Sequence, residues 1–316
     1  MHPSTPIGVT VVVPTLNRGA SIVPALETLL DQDHRPLEIF VVDQSETVAP
    51  EVLDLAKQHP DEIRVEHVTF RGLPRARNYG WQRAKYDAIV YVDDDVICQP
   101  QMVSEHLRSL QRDGVAMAAG GIDGTVVVPV PGGSLHFDQW RSAPCGSFGM
   151  TGEQESDHVP GGNFSVWRWV VEKVGGFDEA LGAASAMFEE LECCLRVRKA
   201  GLRIVFCGSA RLTHLGAESG GCKVGSRGTY AWGVARNRTV LIRRHVSLVA
   251  KPVALAWLLR QCLGLARNPF APGVVWQGLR GMAEGWRVGG MKPAMTDFPT
   301  ADSPRGLEAN AGPRAA

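Results

Sequence analysis

The chain has 316 residues, 44% of them hydrophobic, which is enough for a substantial core in one large domain or one domain with an appendage. Its 33 basic and 33 acidic residues give a formal net charge of +0, so no global positive field indicates a nucleic-acid partner. The seven cysteines form no CxxC pair, which favours reduced thiols in a cytoplasmic setting over a disulfide framework. The sequence predicts neither a signal peptide nor a membrane-spanning helix.

Strands and helices alternate through the first third of the chain. Short apolar or β-branched runs predict four strands, at residues 9–13, 37–42, 63–69 and 88–92. Helical spacing of apolar residues predicts helices between them, at 22–30, at 51–57 and after 72. This alternation implies a parallel sheet with right-handed crossovers, so the acidic residues that follow the second and fourth strands should share one rim.

Three consecutive carboxylates, Asp93, Asp94 and Asp95, follow the fourth predicted strand. Ligands of open α/β sheets collect outside the carboxyl ends of the strands, so this cluster stands where a substrate would bind. Adjacent carboxylates repel one another, and a divalent cation that also holds substrate phosphates would neutralise them. The alternative is a solvated acidic turn, since Asp is also common in turns.

The segment 72–80 combines glycine and arginine at the start of a predicted helix. Arg75 and Arg77 near a helix N-terminus suit phosphate binding, although they could equally solvate a helix face. The chain has no GxGxxG after its first strand and no GxxxxGK[ST]. Neither dinucleotide binding nor P-loop chemistry is therefore supported.

The second half shows a less regular pattern. We predict a helix at 101–113, a strand at 115–121, a Gly/Pro/Ser-rich excursion or lid at 129–160, a helix after 166 and a strand at 202–206.

Before the strand at 202–206, a further predicted helix begins with Glu189, Glu190 and Glu192. Three glutamates in four positions exceed what helix capping needs, but capping remains an alternative. His214 stands alone, as structural histidines often do.

Basic and aromatic residues dominate the carboxyl-terminal quarter. Nine basic residues but only one acid, Glu284, lie between Arg236 and Arg287, with three tryptophans interleaved. Such helices are typical of proteins at an anionic membrane surface, and the alternative is a helical appendage packed on the main domain. Residues 296–316 are rich in Pro, Ala, Gly and charge, which predicts a disordered tail.

Eight short motifs, in this order, make the chain resemble inverting family 2 glycosyltransferases of the GT-A fold over roughly residues 7–245. They are Val13–Arg18, Val41–Ser45, Gly72–Gly80, Val92–Asp95, Gly161–Phe164, Gly175–Glu179, Glu189–Arg196 and His214. The resemblance implies an α/β fold with a mostly parallel central sheet flanked by helices. It places a nucleotide-sugar half (about 7–122) and an acceptor half (about 123–245) in a catalytic domain, 1–245, followed by a basic amphipathic helical appendage, 246–295.

The resemblance also implies a role for particular residues. Those expected to bind a nucleotide-sugar donor are Pro14, Thr15, Asn17, Arg18, Asp43, Gly72, Arg77, Asp93 and Asp94. Asp95 and His214 would bind Mn²⁺ or Mg²⁺. Glu190 would be the catalytic base, and Gly162, Asn163 and Glu189 would lie on the acceptor side.

The implied reaction moves a hexosyl or deoxyhexosyl group to a glycan, lipid-linked or other hydroxyl acceptor in a single displacement. A metal-bound diphosphate would leave while a carboxylate takes the acceptor proton. Two positions depart from the family pattern, because the base is Glu rather than Asp and Gln44 follows Asp43. The expected location is cytoplasmic, compatible with a peripheral place on the inner face of the membrane.

Two other functions agree less well with the sequence. A nucleotidyltransferase would need a Gly-rich, Lys-bearing loop after the first strand, which residues 14–19 lack. A non-catalytic sugar- or nucleotide-binding relative would have lost the base, whereas this chain retains Asp93, Asp95 and Glu190 together.

Overall fold

The computed structural model describes residues 6–124, 134–183, 187–216, 226–267 and 271–298. The strands are β1 Val9–Thr15, β2 Leu37–Asp43, β3 Ile63–His67, β4 Ala88–Val92, β5 Val96–Cys98, β6 Val115–Asp123, β7 His136–Asp138, β8 Ala143–Cys145, β9 Glu153–Glu155, β10 Asn163–Trp167 and β11 Arg203–His214. The α-helices are α1 Val23–Leu30, α2 Pro50–Gln58, α3 Leu73–Arg83, α4 Met102–Leu110, α5 Arg168–Val174, α6 Glu189–Lys199, α7 Arg227–His245, α8 Lys251–Leu265 and α9 Pro272–Gly289. Short 3₁₀ helices occur at Gly19–Ile22 and Glu179–Gly182.

A central sheet has the strand order β3-β2-β1-β4-β10-β6-β11-β5, and β9 also pairs with β11. Strands β1 to β4, β6 and β11 run in one direction, whereas β10, β5 and β9 run in the other. The predicted α/β architecture, with a mostly parallel sheet flanked by helices, is therefore confirmed. Hydrophobic clusters lie on both faces, with Val11 on one and Val12 on the other, because successive side chains of a strand point to opposite faces.

Strand β10 was not predicted. Residues 163–166, which precede a predicted helix, form a buried strand between β4 and β6. A short run such as Phe164 to Val166 has too few residues to distinguish the period of a strand from that of a helix. The excursion predicted at 129–160 contains β7, β8 and β9 in its described part.

Strand β11 is longer than its predicted span of 202–206. It passes an irregularity between Cys207 and Arg211 and continues to His214, which pairs with Val96 of β5. This extension matters for the site because Val96 directly follows the three aspartates. It brings His214, which is distant in sequence, next to the acidic rim.

The last three helices pack together through small residues. A Cβ on Gly281 would lie 2.4 Å from the carbonyl oxygen of Trp232, and one on Gly285 would lie 2.1 Å from that of Arg236. Only glycine permits so close an approach of α9 to α7. None of the helices in the described parts of the chain is both long enough and apolar enough to cross a membrane.

Part of the predicted tail is ordered against the main domain. The Thr296 amide donates to Glu179 (2.7 Å), and the Phe298 ring stacks on Phe70 with 5.3 Å between centroids. Residues 296–298 are therefore not disordered, whereas 299–316 lie outside the described residues. The six cysteines within the described ranges are free thiols, and Cys222 lies outside them.

Candidate active site

Two carboxylates and one histidine meet beyond the end of β4. Asp93, Asp95 and His214 each offer a ligand atom, and these atoms all lie within 4.8 Å of one another. Nε2 of His214 is 3.6 Å from Oδ2 of Asp93 and 3.3 Å from Oδ1 of Asp95. Two hard oxygen donors and one imidazole suit a divalent ion such as Mn²⁺, for which carboxylate is a preferred ligand.

The protonation of His214 is linked to these carboxylates. The nearby carboxylate of Asp93 raises the pKa of His214 above its ordinary value, partial burial opposes the rise, and the carboxylate of Asp95 adds to it. A proton on Nε2 occupies the position through which this nitrogen would bind a metal. A divalent ion must therefore displace that proton, and it would neutralise the same two carboxylates.

The middle aspartate has a different environment. Asp94 is buried and accepts hydrogen bonds from Oγ1 of Thr15 (2.7 Å) and Nε of Arg18 (2.8 Å). Nη2 of Arg18 also lies 3.3 Å from Oδ2 of Asp95. Burial raises the pKa of Asp94 to about 6, although Thr15 and Arg18 act against the rise. Asp94 therefore holds Thr15 and Arg18 in place beneath the rim.

The loops after strands β1, β2 and β3 are joined by strand pairing and by hydrogen bonds from backbone amides to side chains. Thr15 pairs with Asp43 in the register of β1 and β2, and the amide of Asn17 donates to Oγ of Ser45 (2.8 Å). The amide of Gly72 donates to Oε1 of Gln44 (2.8 Å), so Gln44 links the β2 end to the start of α3. In the sequence Gln44 is recognisable only as a departure from the family pattern, and nothing near it indicates this linking role.

Of the other residues predicted for the donor side, two are placed by the backbone. Pro14 is buried within β1, one residue before Thr15, and Asp43 is buried and accepts from the amide of Ser45 (2.7 Å). Gly72 has a φ of 128°, a value that L side chains rarely adopt, and it precedes the first turn of α3. These loops therefore lie together next to the acidic rim, where the nucleotide is predicted to bind.

Two successive glycines lie between the rim and the start of α6. A Cβ on Gly162 would lie 2.3 Å from Oδ2 of Asp93, and one on Gly161 would lie 3.2 Å from Nη2 of Arg77 and 3.8 Å from Cδ of Glu190. One short segment therefore lies against the aspartate cluster and the predicted base. Gly161 was not predicted as a site residue, although its place before Gly162 was a usable signal.

We expect Gly162→Ala to weaken metal-dependent nucleotide binding by at least tenfold, because the new methyl group would displace Asp93. Isothermal titration calorimetry with UDP or GDP in the presence of Mn²⁺ measures the change in nucleotide affinity. Gly264→Ala in α8 is the matched control, since a Cβ there meets nothing within 4 Å. Equal affinity of wild type and Gly162→Ala would show that the position of Asp93 does not matter for binding.

Beneath the glycines, two glutamates share one arginine. Arg77 and Glu189 are each 1% exposed, and Nη1 of Arg77 is 2.6 Å from Oε1 of Glu189. Nη2 of Arg77 donates to the carbonyl of Gly161 (2.9 Å). Arg77, predicted to bind nucleotide, and Glu189, predicted on the acceptor side, thus form a buried ion pair that supports the Gly161 backbone.

Glu190 is the more accessible of the two glutamates. Its side chain is 20% exposed, and Oε2 is 3.9 Å from Nη1 of Arg77. Burial, followed by the carboxylate of Glu189, raises the pKa of Glu190 to about 8, while Arg77 acts to lower it. A carboxylate with a raised pKa is a stronger base than an ordinary one, which suits it to accept a proton.

The third glutamate at the start of α6, Glu192, has a structural role. It is fully buried and accepts hydrogen bonds from Nε of Arg196 (2.8 Å), Nη1 of Arg244 (3.2 Å) and Nε2 of His245 (3.1 Å). Burial would raise its pKa, but the bond to His245 and the charge of Arg196 outweigh that effect and lower the pKa of Glu192 to about 2. Glu192 therefore anchors α6 to α7.

Asn163 faces the interior of the sheet. Its Nδ2 donates to the carbonyls of Gly121 (2.9 Å) and Ala210 (2.8 Å), and Oδ1 is bonded to Nε2 of His106 (2.8 Å). The side chain is fully buried, and its amide is bonded to these interior groups. Its predicted position on the acceptor side is therefore corrected to a structural one, in which it holds β10 between its neighbours.

Known glycosyltransferases resemble this chain in sequence. The model of glycosyl transferase family 2 matches residues 10–174. The glucosyl-dolichyl phosphate glucuronosyltransferase of Haloferax volcanii is 26% identical over 218 residues, 66% of this chain and 68% of that protein. The pre-mycofactocin glycosyltransferase of Mycobacterium tuberculosis is 26% identical over 225 residues, 67% of this chain but only 45% of that protein.

Solved structures share the architecture. The Pyrobaculum calidifontis mannosyltransferase PcManGT, in complex with GDP-Man and Mn²⁺, aligns with a TM-score of 0.54 at 18% identity over 88% of this chain and 85% of that chain. GalNAc-T7 with UDP, GalNAc and Mn²⁺ aligns with a TM-score of 0.57 at 16% identity over 84% and 59%. At such identities the likeness concerns the fold, and it confirms the predicted GT-A fold.

Proposed function

The chain belongs to glycosyl transferase family 2, and we propose that it transfers a sugar from a nucleotide-diphosphate donor to an acceptor hydroxyl with inversion at the anomeric carbon. The observation that carries this proposal is the Gly161–Gly162 segment, which lies against Asp93 at one residue and Glu190 at the next. The proposed metal-binding rim and the proposed base are thereby held next to one short piece of backbone. An inverting displacement needs both groups at one site, with the base and the leaving diphosphate on opposite sides of the transferred sugar.

On the donor side, the acidic rim and its loops bind the nucleotide. Asp93, Asp95 and His214 would hold a divalent ion, which supplies positive charge to a leaving diphosphate when bound. Arg18, already placed by Asp94, adds a guanidinium that can pair with phosphate oxygens. The GDP-Man and UDP bound in the two structural neighbours support a nucleotide-sugar donor here.

On the acceptor side, Glu190 removes the proton of the attacking hydroxyl. Its carboxylate is partly exposed, unlike those of Glu189 and Glu192. Arg77 and Glu189 fix the start of α6 against the Gly161 backbone and so fix the position of Glu190. The proton leaves the hydroxyl as its oxygen bonds to the sugar, and no covalent enzyme intermediate is required.

The pH dependence of the reaction should show the raised pKa of Glu190. The ionised form is the active base, so the rate should rise with pH through that pKa and fall below it, at a midpoint above the ordinary glutamate value. Glu189→Gln removes a neighbouring negative charge and should move this limb to lower pH. The measurement is kcat against pH for wild type and variant.

The control for that profile is Glu46→Gln, since the Glu46 side chain is 88% exposed and lies outside the Glu189–Glu190 pair. It should leave the limb unchanged. An acid limb at an ordinary carboxylate pKa in wild type, or one that Glu189→Gln does not move, would contradict the coupling of the two glutamates.

The proposed function is tested by a donor screen followed by product analysis. UDP, GDP and dTDP are compared for thermal stabilisation of the protein with and without Mn²⁺. Sugar donors that carry the stabilising nucleotide are then assayed for transfer. The product anomer is read by NMR and should be opposite to that of the donor. Retention would exclude inverting transfer, and nucleotide binding without transfer to any hydroxyl acceptor would favour a non-catalytic relative.

A further inference from the structure

The outward sides of α8 and α9 carry large apolar side chains that remain exposed. Along α9, Trp276 is 67% exposed, and Leu279 and Trp286 follow it at helical spacing. Along α8, exposed positions recur in the same way. We call these residues the outer apolar stripe: Val253, Leu259, Leu263, Trp276, Leu279 and Trp286. In the turn before α8, Leu248 is 81% exposed.

The inward sides of the same helices are built mainly from small residues. Ala254 and Cys262 of α8 are buried, as are Gly278, Gly281 and Gly285 of α9. A helix that served only as a packed appendage would place its large apolar residues inward and its polar residues outward. Here the largest apolar residues of α9 face outward, so packing on the domain does not explain their position.

The charge of this region is strongly one-sided. Residues 246–292 include six basic residues, Lys251, Arg260, Arg267, Arg280, Arg287 and Lys292, and the single acid Glu284. Glu284 is already paired with Nε of Arg236 at 2.8 Å. Arg280 and Arg287 are exposed and directly follow Leu279 and Trp286 of the outer apolar stripe. Apolar and cationic groups therefore alternate on one surface.

We propose that the outer apolar stripe is a docking surface for an anionic lipid bilayer, with α8 and α9 lying in the interface rather than crossing it. Tryptophan and leucine enter the boundary between headgroups and acyl chains, while the arginines pair with anionic headgroups. Two copies of this chain would bring like charges together if they joined through the same surface, which disfavours a dimer. Binding of the bilayer through this surface would not depend on the sugar donor or the acceptor.

Co-sedimentation of the full chain with vesicles tests the proposal, without donor or acceptor. The protein should sediment with phosphatidylcholine vesicles that contain phosphatidylglycerol and not with phosphatidylcholine alone, and high salt should release it. Arg280→Gln and Arg287→Gln should each lower the partition coefficient about fivefold. The double variant Trp276→Ser/Trp286→Ser should reduce sedimentation to the level seen with neutral vesicles.

Two controls match the variants. Trp169 on α5 is 47% exposed, and Trp169→Ser should leave sedimentation unchanged. Lys57→Gln removes a well-exposed cation of α2 and should also have no effect. Equal loss in the Trp169 and Trp276/Trp286 variants, or failure of wild type to bind anionic vesicles, would overturn the proposal. So would a wild-type dimer in analytical ultracentrifugation that Trp276→Ser/Trp286→Ser converts to a monomer.

Discussion

Glu190→Gln should lower the rate of sugar transfer by on the order of 10²–10⁴, the usual weight of a general base. The amide keeps the size of the side chain but cannot accept the proton of the attacking hydroxyl. Donor and metal binding should stay nearly unchanged, because Glu190 is not part of the Asp93, Asp95 and His214 cluster. Turnover and donor affinity are measured for the same preparation.

The neighbouring glutamates are the comparison for this variant. Glu189→Gln keeps a hydrogen-bond partner for Arg77 and should retain much more activity than Glu190→Gln. Glu192→Gln removes a buried carboxylate bonded to Arg244 and His245, so it should lower the melting temperature. Full turnover in Glu190→Gln with loss in Glu189→Gln would move the base to the preceding residue.

Asp95→Asn should abolish the Mn²⁺-dependent part of nucleotide binding and lower transfer by on the order of 10²–10⁴, because Lewis-acid stabilisation of a leaving group contributes several kcal/mol. The substitution keeps the volume of a residue that is only 5% exposed, and removes the charge that a divalent ion needs. Titration of nucleotide with and without Mn²⁺ separates the metal-dependent part from the rest.

Asp94→Asn is the matched variant for that experiment. Its amide oxygen can still accept from Arg18 and its amide nitrogen can donate to the Thr15 hydroxyl, and it lies outside the cluster of potential ligands, so the loss should be smaller. Similar damage from both substitutions would show that the cluster has been assigned to the wrong aspartates. Full activity in excess chelator would exclude a metal requirement altogether.

The rim of the site could be predicted because it depends on strand direction. Buried runs that alternate with helices imply parallel strands, and the carboxyl ends of parallel strands meet at one edge. Thr15, Asp43 and the three aspartates therefore come together in the structure as the pattern of the first 95 residues predicts. Local sequence was sufficient because each strand is set by its own apolar residues.

The direction of individual polar side chains could not be predicted in the same way. Asn163 turns inward because His106 lies on its buried side, 57 residues earlier in the chain, and Glu192 turns inward because Arg244 lies 52 residues later. Nothing near either residue in the sequence indicates these partners. Apolar periodicity predicts which strands and helices form, whereas the partners of buried polar groups depend on how distant segments meet.

The buried ion pairs that anchor α6 also limit which parts of the protein can move. Arg244 of α7 reaches both Glu192 of α6 and Asp178 (2.7 Å), whose carboxylate in turn accepts from the amide of Ala294. A hinge between α6 and the last three helices would leave buried charges without partners, at a cost of about 3–5 kcal/mol for each broken pair. Rotation of these helices as a rigid flap is therefore disfavoured. An acceptor that reaches Glu190 as proposed would therefore do so while α6 and α7 stay held together by this ionic network.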